Sequence, residues 1–427
     1  MSNSIILSAK TVNETDATHI IQSKIDLLSQ NNGGHLILTD GIFNCGSLEL
    51  HSNIHLTISE NAVLKFINQH DSYPIIRTRW EGYETSAYRA CLFANHVKNL
   101  TIDGHGIVDG NGFAWWEEFR KKNKKIEHAR PYLVSIEHSK QIKIRDLFFT
   151  NSPSWTIHPF DCEDVVIDSI SVKNPADSPN TDGTDPESCR NLRIINCEYD
   201  VGDDCIAIKA GTEDADQNIP CENLIISNCN MLHGHGGVVI GSEMSGSIRN
   251  VVINSCTFVD TDRGIRFKTR RGRGGVIENI NISNIVIDNT LCPIVVNLYY
   301  FCGRKGKDKI VWDKNPYPIN DSTPKIKHVR ISNLTARHIR SCAAIMYGLP
   351  EMPIDDVAIN DASFSLSNDS IPEPPAMFAN APKLAQKGFF LENTSNCHLT
   401  NISLKNKDSE ILFHNVNNKN LLLKNLS

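Results

Sequence analysis

Apolar positions along this chain return on alternate residues in short runs, and the runs recur at long, uneven intervals. One phrase carries them: a polar residue, apolar positions two apart, then Asn or Asp, then a further apolar position. It reads Asn99-Leu100-Thr101-Ile102, Gln141-Ile142-Lys143-Ile144, Asp164-Val165-Val166-Ile167, Asn191-Leu192-Arg193-Ile194 and Asn223-Leu224-Ile225-Ile226. Later copies begin at Asn250, Asn279, His328 and Asp356, with weaker ones near Cys397 and Leu421. Alternation of period two over so few residues predicts strands. The anchors Ile142, Val165, Leu192, Leu224, Val251 and Ile280 are 23 to 32 residues apart, with no evident helical crossovers between them. The pattern predicts an all-β coil in which each turn adds short parallel strands to a stack, as one domain spanning 1–427 without a linker. A β-propeller would need four antiparallel strands per blade of about 40 residues, and hairpin signals such as Asn-Gly are scarce.

The register of the repeat accounts for residues that would otherwise suggest chemistry. Cys197, Cys229 and Cys256 lie five after an anchor, and Cys162, Cys189 and Cys221 three before one. Aliphatic residues hold the same places in other turns, such as Ile285, Leu334, Ile248 and Ile277, so these cysteines are read as small buried hydrophobes. No C-x-x-C occurs, which removes the usual support for zinc or dithiol chemistry. Asn196, Asn228, Asn284, Asn333 and Asn401, with Asp361, recur four residues after the anchors. Asparagine tolerates the left-handed conformation of a sharp turn, and stacked amides hydrogen-bond to one another. The stretch Thr15–Gln30 differs: Ala17, Ile21, Ile25 and Leu28 fall at helical spacing, with Thr15 or Asp16 as N-cap. It predicts a helix closing the open end of the coil. Residues 305–325 and 365–388, rich in Pro, Asn and Lys, are read as long loops.

Composition narrows the function. Hydrophobic residues make up 40 % and charged residues 22 %, so the chain can build a core. A formal charge of -6 gives no reason to propose nucleic acid or an anionic membrane as partner. No run approaches the roughly 18 to 20 apolar residues that span a bilayer. Met1-Ser2-Asn3-Ser4 leads straight into apparent fold without a basic start and apolar run. With thirteen cysteines, an odd number, this predicts free thiols and a cytoplasmic location.

The unusual residues gather between 178 and 275: Asn180-Thr181-Asp182-Gly183, Gly202-Asp203-Asp204-Cys205, Gly234-His235-Gly236 and Arg266-Phe267-Lys268. Asp182 lies 17 after its anchor, Asp203 and Asp204 lie 11 and 12 after theirs, and His235 lies 11 after Leu224. Arg266 and Lys268 lie 15 and 17 after Val251. Equal register on successive turns makes lateral neighbours, so three carboxylates, an imidazole and two cations are expected on one face. Paired carboxylates suit glycosidic cleavage, where one group protonates the leaving oxygen and another activates water or attacks the sugar. Taken singly, Asp-Gly and Asp-Asp are common turns; the joint order is the signal. The basic run Arg263 to Arg273 adjoins the cluster and offers charge for a polyanionic substrate, with Lys209 as a further contributor. Trp80, in Arg79-Trp80-Glu81-Gly82, and Trp115-Trp116 are either sugar-stacking surfaces or packing.

In this order the four motifs resemble those of glycoside hydrolase family 28, the polygalacturonases and their relatives. The resemblance runs from Asn31-Asn32-Gly33-Gly34 through the later turns and is most specific between Asn180 and Gly275. It implies a right-handed parallel β-helix. It also implies inverting hydrolysis of α-1,4 bonds in polygalacturonate or oligogalacturonides, without metal or organic cofactor. Asp203 would then be the general acid, and Asp182 and Asp204 would position and deprotonate water. His235 would hold the acid, Arg266 and Lys268 would bind the uronate carboxylate, and Asn180 would shape the site. An inverting arrangement places acid and base about 6.5 to 9.5 Å apart. Phe267 stands where the family commonly has an aliphatic residue, and strand alternation sends it to the core. The stretch Gly236 to Gly246 resembles bacterial exo-acting members, which with the absence of an export signal predicts attack at chain ends.

Competing readings are a rhamnogalacturonan hydrolase, a calcium-dependent pectate lyase on the same fold, and a non-catalytic β-helix used for binding. The basic pair favours a uronate over the first, and the presence of all three carboxylates argues against the last.

Overall fold

The computed structural model describes residues 3–12, 15–121, 127–405 and 413–427. Met1 and Ser2, the start of the leaderless terminus suggested by the sequence, lie outside them. The chain folds as a parallel β-helix. It forms two compact units, Met1–Asp203 and Asp204–Ser427, and copies of the repeat phrase occur in both.

In the first unit the anchors stack in the expected order. Leu100 pairs laterally with Ile142, Ile142 with Val165, and Val165 with Leu192, all in parallel strands. These four side chains are fully buried, and burying such a residue contributes about 1.5–3 kcal/mol. A second sheet is built from strands Leu48–Leu50, Leu92–Asn95, Val134–Glu137 and Ile157–Phe160.

The N-terminal helix runs Thr18–Gln30 and buries Ile21, Ile25 and Leu28, as its spacing predicts. Its N-cap is Ala17, not Thr15 or Asp16, and Ala17 makes no side-chain cap bond. Asp16 still supplies the acceptor: its Oδ1 takes the Thr18 backbone N–H at 2.8 Å. Ala17 is buried to 1 %, so packing at the N-cap position moves the capping carboxylate one residue upstream.

Two elements depart from the repeat. Ile75–Trp80 and Tyr83–Tyr88 form an antiparallel hairpin whose turn residues, Glu81 and Gly82, both have positive φ. The turn is Glu-Gly rather than Asn-Gly, so the usual sequence signal is missing. Phe113–Arg120 is a helix that buries Trp115 and Trp116, and both indoles serve as packing. Trp80 likewise stacks on Tyr132, with ring centroids 4.8 Å apart.

In the second unit Leu224, Val251, Ile280, Val329 and Val357 form the corresponding stack. Cys221 continues laterally into Ile248, Ile277 and Ile326, and Cys256 into Ile285 and Leu334. The thiols therefore occupy isoleucine and leucine places, and all thirteen cysteines lie outside any disulfide, twelve of them buried. The asparagine ladder has φ between 50° and 58° at Asn196, Asn228, Asn284, Asn333, Asp361 and Asn401. Its amides bond across turns: Asn333 donates to Asn284 at 2.6 Å and Asn401 to Asp361 at 2.8 Å. A second parallel sheet of this unit contains Asp204–Ile208, Gly236–Gly241, Arg263–Lys268 and Cys292–Asn297. It carries most of the candidate chemistry. Among the described residues no helix is long and apolar enough to cross a membrane.

Candidate active site

Each unit holds part of the predicted set. In the first, the segment between strands Ser171–Lys173 and Arg190–Ile195 is pinned by its own polar groups. Ser178 donates its backbone N–H to the Pro175 carbonyl at 3.0 Å, and its hydroxyl shares a hydrogen bond with that of Thr181. Asn180 sits at φ 55°. The following peptides lie along the preceding turn, where the Asp182 and Gly183 carbonyls accept the backbone N–H groups of Thr156 and Ile157. Asp182 is thereby fixed and nearly buried, at 4 % exposure.

Gly202 explains how Asp203 approaches it. A Cβ on Gly202 would lie 2.5 Å from the Ser178 carbonyl oxygen and 2.6 Å from that of Pro175, so only glycine passes so close. Asp203, half-buried, then presents a carboxylate oxygen within 4.8 Å of one on Asp182.

Arg130, which belongs to none of the four motifs, holds this segment. Its guanidinium donates to the Asn180 side-chain oxygen at 2.7 Å, the Pro179 carbonyl at 3.0 Å and the Pro153 carbonyl at 2.8 Å. Phe119 covers it, with the ring centroid 4.1 Å away. Burial draws its pKa down to about 10, against the charges of Glu81 and Asp182. Arg130 follows the insertion containing the Phe113–Arg120 helix, which hides its register from the repeat.

In the second unit Asp204 is paired laterally with Gly236. This is the match expected between the double Asp and Gly-His-Gly. His235 stands exposed in the turn just before Gly236. On the next strand Val239 pairs with Arg266 and Gly241 with Lys268. Both cationic side chains lie on one face, while Ile265 and Phe267 enter the core with no exposure, as alternation requires. Lys268 donates to Asp204 Oδ2 at 2.7 Å, and Arg266 to Oδ1 at 3.2 Å.

Gly236 makes this reach possible. A Cβ there would lie 2.9 Å from Asp204 Oδ1 and 2.4 Å from a Val239 methyl. Burial alone would raise the Asp204 pKa; the charges of Lys268 and Arg266 overcome it and hold the carboxyl well below the usual carboxylate range. Tyr300, also absent from the sequence selection, lies against both cations, its ring centroid 5.6 Å from the Arg266 guanidinium and 5.2 Å from the Lys268 ammonium. Its signal was the aromatic pair Tyr299-Tyr300 just beyond strand Cys292–Asn297.

The rest of the basic run is engaged with acids of its own unit and forms no open electropositive surface. Arg270 pairs with Glu213 at 2.8 Å, Arg273 bonds the same carboxylate, and Arg271 pairs with Glu351 at 2.6 Å. Lys209 pairs with Glu243 at 3.2 Å. Burial pushes the Glu213 and Glu243 pKa values up, but Arg273 at Glu213, and Lys209 with Arg273 at Glu243, bring both down to about 2.

A carboxyl depressed in the fold adds stability above its unfolded value, near 4.5, and loses it as pH falls through the folded value. Thermal stability should therefore fall steeply between about pH 4.5 and 2. Substituting Glu243→Gln should flatten that fall. Melting curves across this range check it, and a wild-type Tm that stays level would contradict these ion pairs.

The chain is similar to several known proteins. The model of Glycosyl hydrolases family 28 matches residues 75–371. A probable polygalacturonase of Vitis vinifera is 29 % identical over 355 residues, covering 81 % of this chain and 70 % of its own length. An endo-polygalacturonase of Pectobacterium carotovorum subsp. carotovorum is 28 % identical over 334 residues, covering 74 % and 80 %. The crystal structure of a hyperthermoactive exopolygalacturonase from Thermotoga maritima superposes with a TM-score of 0.79 at 27 % identity, over 95 % of this chain and 92 % of that one.

Proposed function

Since the chain belongs to glycosyl hydrolases family 28 and is a glycoside hydrolase, we propose that it cleaves α-1,4 bonds of polygalacturonate or oligogalacturonides. The observation that carries this reading is the pairing of Lys268 and Arg266 with the buried Asp204 carboxylate. It supports a site built to handle a uronate. An ammonium has three N–H donors, and the bond to Asp204 occupies one of those on Lys268. A substrate carboxylate can take another.

In the proposed reaction Asp203 protonates the leaving oxygen, and Asp182 and Asp204 position and deprotonate the attacking water. His235 keeps the acid in its working state, and Asn180, held by Arg130, shapes the sugar site. A carboxylate held ionised by Lys268 and Arg266 suits the part of Asp204 in positioning the water, as a hydrogen-bond acceptor. Thirteen cysteines outside any disulfide support action in a reducing compartment.

We further propose inversion and attack from chain ends. The motif resemblance supports inversion, and stereochemistry is the decisive test. Proton NMR of the earliest product should show the β-anomer; the α-anomer first would mean a covalent intermediate. The likeness to the Thermotoga maritima exopolygalacturonase supports end attack. It predicts monogalacturonate from the first minutes with little loss of viscosity. A fast viscosity drop before monomer accumulates would refute end attack.

A further inference from the structure

The insertion between strands Cys292–Asn297 and Lys325–Ile339 brings a lysine to the face that carries the cation pair. Strand register fixes that face. Lys268 pairs laterally with Asn297, and Asn297 with Tyr347, so all three side chains leave the same side of the sheet. Tyr347 is thus two lateral steps from Lys268, each about 4.8 Å. The Lys314 ammonium lies 4.1 Å from the Tyr347 ring centroid, 3.3 Å from that of Tyr299 and 5.1 Å from that of Phe378.

The backbone on both sides of Lys314 is pinned. Arg271 donates to the Asp313 carbonyl at 2.6 Å, the Asn315 carbonyl at 3.1 Å and the Ile310 carbonyl at 2.9 Å. Its own charge is paired with Glu351. A lysine presented in this way has less freedom to lose when it binds a ligand. Lys314 is nonetheless an exposed residue, within reach of one.

The ammonium is desolvated without being paired. Burial against the rings draws its pKa down to about 8, against the charge of Glu392 and with that of Arg271. Among the described residues it makes no hydrogen bond or ion pair. Glu392 is committed elsewhere: it bonds the Tyr347 hydroxyl and lies 3.7 Å from His414 Nε2. Ring faces attract a cation but offer no oxygen to its three N–H donors. A carboxylate supplies that acceptor, and the charge-assisted bond gains strength where rings exclude water.

We infer that Lys314 binds the carboxylate of a second uronate, beyond the one at the cleaved bond, and so sets a preference for longer oligomers. The inference rests on the hydrolase reading above and deepens it by naming a residue that determines chain-length specificity.

The test compares kcat/KM on digalacturonate with that on longer oligogalacturonides, up to the hexamer. Wild type is expected to favour the longer substrates. Lys314→Met keeps an apolar chain among the rings and removes the charge. It is expected to lower the long-to-short ratio at least about tenfold, since the bond lost is one to a charged group. Lys314→Arg keeps the charge and should hold most of the ratio. Methyl-esterifying the carboxyls beyond the cleaved bond removes the charge from the substrate instead. It should lower the wild-type ratio to a similar extent, which keeps the test open should the methionine variant fail to fold. A ratio in Lys314→Met within about twofold of wild type, an equal loss at every chain length, or a wild-type ratio untouched by esterification would overturn this role of Lys314 and leave the hydrolase reading standing. Inactivity on every galacturonide would overturn the two together.

Discussion

Asp203→Asn should lose at least about 10²-fold in turnover, because positioned general acid catalysis contributes about 10² to 10⁴. The amide matches the carboxyl in size but has no acidic proton to pass to the leaving oxygen. Asp203 is half-buried at the end of the first unit, and Gly202, not the carboxyl, makes the close contact with the 175–178 turn. The variant should therefore melt within a few degrees of wild type. A variant that keeps more than about a tenth of wild-type kcat would remove Asp203 from the acid's role. The loss should also be smaller on a substrate with a good leaving group, such as an aryl galacturonide, which needs less protonation. An equal loss on both substrates would point to displaced geometry.

Lys268→Ala should have the largest combined effect on stability and pH dependence. The sequence alone makes Lys268 a reader of the substrate's charge, so its removal would spare a methyl-esterified substrate. The structure gives it a prior partner. Its ammonium bonds a carboxylate with 1 % side-chain exposure, and removing one member of such a buried pair typically costs about 3–5 kcal/mol. Arg266 remains on the other oxygen, which places the expected loss at the lower end of that range. The charges of Lys268 and Arg266 keep the Asp204 pKa depressed against burial. Without Lys268 that pKa rises toward the ordinary range, so activity and stability on the acid side should fail at higher pH than in wild type. Lys268→Arg restores the charge and should recover much of the acid limb. The pH profile of kcat/KM, with denaturant unfolding at each pH, checks this; an acid limb that does not move in Lys268→Ala would show that Lys268 does not set the ionisation of Asp204. Activity on galacturonate and methyl-ester substrates should fall together to the extent that Asp204 serves both.

The lateral stack was legible because a strand fixes its side chains with period two, and a coil repeats that pattern in register. Val165 and Leu192, or Cys256 and Ile285, are neighbours for that reason alone. The positive-φ asparagines were legible because few other residues tolerate that conformation. The same logic placed Gly-His-Gly beside the double Asp and sent Phe267 inward.

What the sequence hid lies where insertions break the register. Arg130 and Tyr300 reach their partners from irregular segments whose length carries no phase. The basic run invited a surface reading because Glu213, Glu243 and Glu351 are distant in sequence and neutralise it only after folding. The helix cap moved by one residue because burial of Ala17 outweighed the intrinsic preference for a polar N-cap. The close approach of Asp182 and Asp203 depends on Gly202 passing under a turn, a backbone contact that spacing along the chain does not encode.

Whether this hydrolase acts on galacturonan is decided by assay of its products on polygalacturonate. The enzyme is incubated with polygalacturonate and with oligogalacturonides, reducing ends are counted, and the products are separated by anion-exchange chromatography. New reducing ends are expected, with saturated monogalacturonate as the first product, undiminished by a calcium chelator. No reducing ends from any galacturonan, or an unsaturated product that disappears when calcium is removed, would contradict it.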